Sequence, residues 1–307
     1  MISFRIFLFL FFFCNGDETE CHDPKCTKKG LRLYNNSKTL DFSAYSNFET
    51  IQGLINIQNT NIQTLSFLKS WTTWEIKKSK SLMLNVQDNF EMTRLSAPLL
   101  KDIKTNFYSG IIIANIENLH PNFCFTVSEL KLFLDNMFTF RNLDAKFCDE
   151  VGDIGDKILC RFKSLYDLPN NCDIILGDVK LEKGDEEDIT KLMDVWYIFG
   201  SLVIQNTELK SLEYLSNLQY IATIDENATA IIISSNPKLK NVQLPALTNI
   251  IAKGTPTVII QDNHPQIFKN KKGKKLPCKL LEWNQLTGNR FELELNFIGE
   301  DCGRVLL

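Results

Sequence analysis

Short alternations of apolar and polar residues recur along this chain at nearly constant spacing. Ile55/Ile57, Leu84/Val86 and Ile111/Ile113 each set two apolar side chains on one face of an extended segment. Leu202/Ile204, Ile231/Ile233 and Val258/Ile260 repeat the pattern, and the centres step by 29 and then 27 residues in both halves. Turn residues follow at once: Asn89, Asn236-Pro237 and Asn263-His264-Pro265. Strand, turn, return and strand again describe a coil.

A longer repeat overlies the short one. Ile51–Thr60 falls on Ile198–Thr207 at an offset of 147 residues, with Gly, Ile, Gln, Asn and Thr identical in place. The same offset carries Leu65, Leu68 and Asn89 onto Leu212, Leu215 and Asn236, so the chain is a tandem duplication. Coils of this period, with an apolar-x-apolar-x-x-Asn core, belong to the leucine-rich-repeat or β-helix class, where each coil buries its apolar face only against its neighbours. The predicted fold is mainly β: two tandem right-handed β-helix, leucine-rich-repeat-like units with short helical caps. At the turn position of the third coil Ile116 stands against Asn263, so that coil of the first half is expected to turn differently.

Residues 1–16 hold one arginine, an unbroken apolar run from Ile6 to Phe13 and small residues before a cut after Gly16, the pattern of a secretory signal peptide. The run is far shorter than the roughly 20 apolar residues that cross a bilayer, and no later segment is long enough. Cys14 falls within that leader. Eight of the nine cysteines remain: Cys21, Cys26, Cys124, Cys148, Cys160, Cys172, Cys278 and Cys302. Cys124 to Cys148 and Cys278 to Cys302 both span 24 residues, which predicts bridges closing each half. Cys21–Cys26 and Cys160–Cys172 then staple the opening of each half. The expected organisation is a leader at 1–16, a first unit at 17–148, a linker rich in glycine and acids at 149–159, a second unit at 160–302 and a tail at 303–307, each unit folding independently.

Composition removes several function classes. A formal charge of −3 and a sequence pI near 5.8 leave no basic footprint for a phosphate backbone, so nucleic acid is not expected as a partner. Three histidines leave little material for His-dependent catalysis or zinc binding. His120-Pro121 and His264-Pro265 read as solvent-facing turns, and Gly184-Asp185-Glu186-Glu187-Asp188 lacks the spaced ligands of a calcium loop. Lys269–Lys275 carries five lysines and reads as an exposed loop. Asn35-Asn36-Ser37 and Asn227-Ala228-Thr229 are N-glycan acceptor sequences. Trp71, Trp74, Trp196 and Trp283 read as core or cap residues.

The order and spacing of several segments resemble one family. Arg161–Asn171 runs into Cys172–Leu181, then Gly200–Thr207 with Leu209, Leu212 and Leu215, then Asn236-Pro237-Lys238-Leu239. The chain from about residue 20 to 302 resembles a tandem pair of receptor L domains, the leucine-rich-like β-helices of insulin and epidermal growth factor receptor ectodomains. The second half matches more closely. The shorter Cys21 to Cys26 spacing implies that the opening helix of the first half is absent or rudimentary. No cysteine-rich furin-like segment, transmembrane helix or kinase signature accompanies the pair, so the chain is most similar to small secreted nematode proteins of two L domains.

The resemblance implies a secreted, extracellular recognition protein without enzymatic activity or cofactor. Its partner would be an insulin-like or growth-factor-like peptide or a cell-surface protein. The alternative is a carbohydrate-binding or carbohydrate-active protein on the same scaffold, which would require convergent carboxylates on one exposed sheet face. The alternation directs Leu54, Asn56 and Gln58, and Ser201, Val203 and Gln205, outward. Met83 and Ile112 fall beside Leu54, and Ile232 and Ile259 beside Val203, completing the expected partner-binding face.

Overall fold

The structure, a computed structural model, describes residues 19–22, 25–34, 42–77, 80–97, 99–106, 112–225, 227–254, 256–268 and 297–298. The expected leader, Asn35, Trp283, the lysine-rich run and the Cys278–Cys302 bridge lie outside the described residues.

The first half contains β1 (Thr19–His22), β2 (Lys25–Tyr34), β3 (Phe48–Gln58), β4 (Thr73–Ile76), β5 (Leu82–Asn89), β6 (Asp102–Thr105) and β7 (Ile112–Leu119). It closes with β8 (Cys124–Phe125), α1 (Val127–Asp135), β9 (Phe138–Leu143) and β10 (Lys146–Phe147). In the second half follow β11 (Leu159–Arg161), β12 (Ile174–Leu176), β13 (Val179–Leu181), β14 (Tyr197–Phe199) and β15 (Leu202–Gln205). The last strands are β16 (Tyr220–Thr223), β17 (Ile231–Ser234), β18 (Asn249–Ala252), β19 (Val258–Gln261) and β20 (Phe297–Ile298). All stacked strands pair in parallel except the opening β1–β2 hairpin, and the whole is a β-solenoid of about eight turns.

Each coil crosses two sheets. The outer sheet of the first half is β2-β3-β5-β7-β9, and that of the second is β13-β15-β17-β19-β20. The back sheet of the first half pairs the start of β3 with β4 and β6; its counterpart in the second is β11-β12-β14-β16-β18. In the first half β3 passes from one sheet to the other at Gly53, whose φ of +85° a side-chain-bearing residue rarely adopts. The Trp74 indole donates to the Gly53 carbonyl at 2.7 Å, pinning that corner.

The inward positions follow the pleat. Ile55, Ile57, Leu84, Val86, Ala114 and Ile116 fill the first half, and Leu202, Ile204, Ile231, Ile233, Val258 and Ile260 the second. One register differs from the sequence expectation. Val86 pairs with Ile116, not Ile113, so the third coil of the first half steps by 30 residues and Ile116 is a core strand residue rather than a turn residue. Leu119 lies across from Asn89 at the turn.

The corners are held by buried amides. Asn89 Oδ1 accepts from Thr60 N at 3.0 Å and Thr60 Oγ1 at 2.6 Å, while its Nδ2 donates to the Ile57 and Gln87 carbonyls. Asn236 does the same for Thr207 and Ile204, and Asn263 Oδ1 in turn accepts from Asn236 Nδ2 at 2.8 Å. Each side chain satisfies backbone groups that the corner would otherwise bury without partners.

The bridges Cys124–Cys148 and Cys160–Cys172 are formed, as the spacing predicts. The β1–β2 register sets Cys21 across from Cys26, whose side chains lie outside the description. The first half ends in α1, opened by a capping box: Glu129 N donates to Thr126 Oγ1 at 3.1 Å and Thr126 N to Glu129 Oε2 at 2.9 Å. Between Cys160 and Cys172 the chain makes turns instead of a helix.

The halves are not separate bodies on a free linker. Ile174, Leu176, Tyr197, Phe199, Tyr220, Ala222 and Ile251, on the outward face of the second back sheet, share one apolar cluster with Phe125, Leu130, Phe133, Leu134 and Phe138 of the first half. Val151 and Ile154 of the expected linker pack on the same cluster. Polar contacts tie the joint: Tyr197 OH donates to Asp135 Oδ1 at 3.2 Å, Asn249 Nδ2 to the Phe138 carbonyl at 3.0 Å, and Lys253 pairs with Asp144 at 3.2 Å.

Candidate functional site

One outward row runs along the centre of each outer sheet. In the second half β13, β15, β17 and β19 pair so that Lys180, Val203, Ile232 and Ile259 stand side by side. Val203, Ile232 and Ile259 are half-buried, each between fully buried neighbours in its own strand. The next row, Gln205, Ser234 and Gln261, lies toward the C-terminal edge of the sheet. The result is an apolar strip one residue wide, with a polar row on one flank and exposed Lys180 at one end.

The corresponding row of the first half has different chemistry. Arg32, Asn56, Asn85 and Asn115 are in register, with Asn142 next to Asn115. Asn142 Nδ2 donates to Asn115 Oδ1 at 2.9 Å, Asn115 Nδ2 to Asn85 Oδ1 at 2.9 Å and Asn85 Nδ2 to Asn56 Oδ1 at 2.8 Å. Asn56 Nδ2 then donates to Tyr34 OH at 2.5 Å. The carboxamides run head to tail, and Asn85 and Asn115 are almost fully buried among their neighbours. Gln58 and Gln87 form a second rung at 3.3 Å.

The residues of the expected face differ in exposure. Leu54, Asn56, Val203, Ile232 and Ile259 keep partial exposure. Ile112 is fully buried, because the shifted register of β7 turns it into the core. Met83 is buried at the irregular pairing between Leu82 and Leu84, and Ser201 is buried at the Gly200 corner, where its N–H donates to Asp178 Oδ1 at 2.8 Å. The amide row escaped the sequence reading, although its signal, asparagines at Asn56, Asn85, Asn115 and Asn142, was present.

The other singled-out residues have local tasks. His120 Nδ1 accepts from Asn122 N, and His264 Nδ1 from Gln266 N, both at 3.0 Å, closing equivalent turns. In the acidic loop Glu186 accepts from Gly184 N at 2.7 Å and Glu208 N at 2.6 Å. Burial opposes its charge, but these N–H donors outweigh it and hold the carboxyl below its ordinary range. Asp173 is likewise lowered, burial being overcome by Ile158 N–H and by Lys157 at 2.8 Å.

Among the described residues no group of three or more His, Cys, Asp or Glu side chains gathers in a metal-binding arrangement. A shallow depression of about 340 Å³ beside β13 is lined by Phe162, Ser164, Asp178, Lys180, Glu182 and Asp185. Two of its carboxylates are engaged by backbone: Asp178 as above, and Asp185 by Glu182 N at 2.8 Å. Trp71 and Trp74 are core residues, and Trp196 is partly buried under the Lys157 ammonium, 4.2 Å from the ring centre.

At the joint between halves Tyr197 and Tyr220 stack at 5.1 Å. Burial, and then the Asp135 carboxylate, raise Tyr197 far above the ordinary phenol range, and burial pushes Tyr220 up to about 12. Both phenols remain neutral at physiological pH, which suits a dry interface.

Among the described residues no helix is long and apolar enough to cross a membrane. No curated protein matches the chain. The receptor L domain profile matches it twice, over residues 26–136 and 171–275, which are the two stacks of coils that carry the amide and apolar rows. Two matched regions and two solenoid halves agree: the chain belongs to the receptor L domain family, a family of extracellular ligand-recognition domains.

Proposed function

We propose that this is a secreted, non-catalytic recognition protein that binds an extracellular protein or peptide through the outer sheet of its second half. The observation that carries the reading is the strip Val203, Ile232 and Ile259, which leaves apolar area in contact with solvent on a parallel sheet. The corresponding row of the first half consumes its own hydrogen-bonding capacity in the amide ladder and offers a partner less. The family supplies the class of partner, an insulin-like or growth-factor-like peptide or a cell-surface protein. The disulfides favour an oxidising, extracellular setting. Absence of catalysis is supported by the engagement of Asp178 and Asp185 with backbone and of both described histidines with turn N–H groups.

The test compares extracellular proteins retained by immobilised wild-type chain and by Ile232→Asp. A partner retained by the wild type and lost by the variant, with the melting temperature unchanged, supports the reading. Identical retention by both chains places recognition elsewhere. A variant that melts well below the wild type would show that the strip is covered by the protein itself.

A further inference from the structure

We infer that Asn227 is an N-linked glycan attachment site, formed at a corner of the second half that has no equivalent acceptor in the first. Asn227 is exposed in the turn joining β16 to β17, and Ala228 and Thr229 of its acceptor sequence are both partly accessible. Its φ of +65° is the left-handed conformation that asparagine tolerates better than most residues. The turn is supported from below. A Cβ at Gly254, on the next coil, would fall 2.4 Å from the Ala228 carbonyl oxygen and 2.7 Å from the Asn227 carbonyl carbon, so the backbone of that coil lies directly against the turn. The support occupies the inner side and leaves the Asn227 side chain on the solvent side.

The first half makes the same turn with Lys80, also left-handed at φ +52°, followed by Ser81 and Leu82, so no acceptor exists there. The modification is a glycosyl transfer to the side-chain amide. Asn227 Nδ2 bonds to C1 of the first sugar of a lipid-pyrophosphate-linked oligosaccharide, the lipid pyrophosphate leaves with the electron pair of the broken C1–O bond, and one amide proton is lost. It rests on the secreted reading of the chain only in requiring entry into a secretory compartment.

The position has a steric consequence. The corner lies at the N-terminal edge of β17, the strand that carries Ile232, whereas Gln205, Ser234 and Gln261 mark the opposite edge. A glycan on Asn227 would cover the first edge and leave the second open to a partner.

The full chain, led by an efficient cleavable signal sequence, is expressed in a eukaryotic secretory host with Asn35→Gln to remove the other acceptor. Gel mobility and intact mass are read before and after peptide-N-glycosidase, in both cell and medium fractions, so that a chain retained in the cell still reports. The expected result is one glycosidase-sensitive glycan, lost completely on further Asn227→Gln or Thr229→Ala and kept with Thr229→Ser. An Asn35→Gln chain with the mass of bare polypeptide in both fractions overturns the inference, as does a glycan that survives Thr229→Ala. Neither result depends on whether a partner binds.

Discussion

In the first half the outward row of the outer sheet is Asn56, Asn85 and Asn115; in the second, the corresponding positions are Val203, Ile232 and Ile259. The back sheets differ as well. Outward positions Gln52, Glu75 and Lys104 of the first half are polar, and Gln52 donates to Glu75 at 2.8 Å. Their equivalents at the offset of 147 residues are Phe199, Ala222 and Ile251, which are buried against the first half. Two copies of one coil thus keep the inward residues and exchange the outward ones. Inward positions answer to the neighbouring coils alone, so duplication preserves them. Outward positions answer to whatever docks, so one sheet became an intramolecular joint, another an apolar strip, and the first half closed its own face with amides.

The most severe way to break this comparison is to separate the halves. A fragment from Asp156 to Cys302 would expose Ile174, Leu176, Tyr197, Phe199, Tyr220 and Ile251. At about 1.5–3 kcal/mol per apolar side chain, the loss is on the order of 10 kcal/mol, comparable with the stability of a whole domain. We expect it to self-associate or fail to fold, measured by light scattering and thermal melting; a monomer melting with the full chain would disprove the shared core. Grafting first-half residues onto the fragment, Tyr197→Thr, Phe199→Gln, Tyr220→Thr and Ile251→Lys, should restore a soluble monomer.

The corners come next. Asn236→Ala removes partners from Thr207, Ile204 and Asn263 at once, and at about 1–3 kcal/mol for each buried group left unpaired it should cost roughly 3 kcal/mol or more in denaturant unfolding. Asn89→Ala, with Leu119 in place of a third asparagine, should cost less. Equal costs would show that the added rung is inert.

Alkaline titration tests the joint. Both tyrosines are protonated and neutral in the fold with pKa values raised above the ordinary 10. Their contribution is therefore complete below pH 10 and lost as pH rises through the raised values, about 12 for Tyr220 and higher still for Tyr197. Tyr197→Phe should reduce that loss; an unchanged pH profile would place the alkaline transition elsewhere.

The outer rows give the smallest changes. Asn85→Ile interrupts the amide ladder on both sides and should destabilise by about 1–2 kcal/mol. Ile232→Asn, the reciprocal change, should stay within about 0.5 kcal/mol by the same unfolding assay, as for an ordinary surface substitution. Equal effects would mean that the two rows are not the structural and the open face respectively.

Much of this was legible from spacing. The period of the coils, the corner residues Thr60, Asn89, Thr207, Asn236 and Asn263, and the Cys124–Cys148 and Cys160–Cys172 bridges all follow from residues at fixed intervals. The β7 register did not. Ile111 to Ile116 contains apolar residues in both frames of a two-residue period, and only pairing with β5 selects Ala114 and Ile116 for the core. The α1 helix was signalled by Thr126 and Glu129 at capping-box spacing, a local pattern concealed by the surrounding β periodicity.

Outside β7, the sequence alone determined which residues point into the coils, because in a pleated strand adjacent side chains leave opposite faces and apolar alternation identifies the inner one. It also determined the turns at Asn89, Asn236 and Asn263 and the meeting of Cys124 with Cys148 and of Cys160 with Cys172. Tertiary structure alone decided the fate of the outer face. Tyr197, Phe199 and Ile251 are apolar residues on the outward side of a strand, as are Val203 and Ile232, and nothing local distinguishes the two sets. The first set is covered because α1 and β9, distant in sequence, meet the back sheet and bury it; the second remains in contact with solvent because no described segment reaches it.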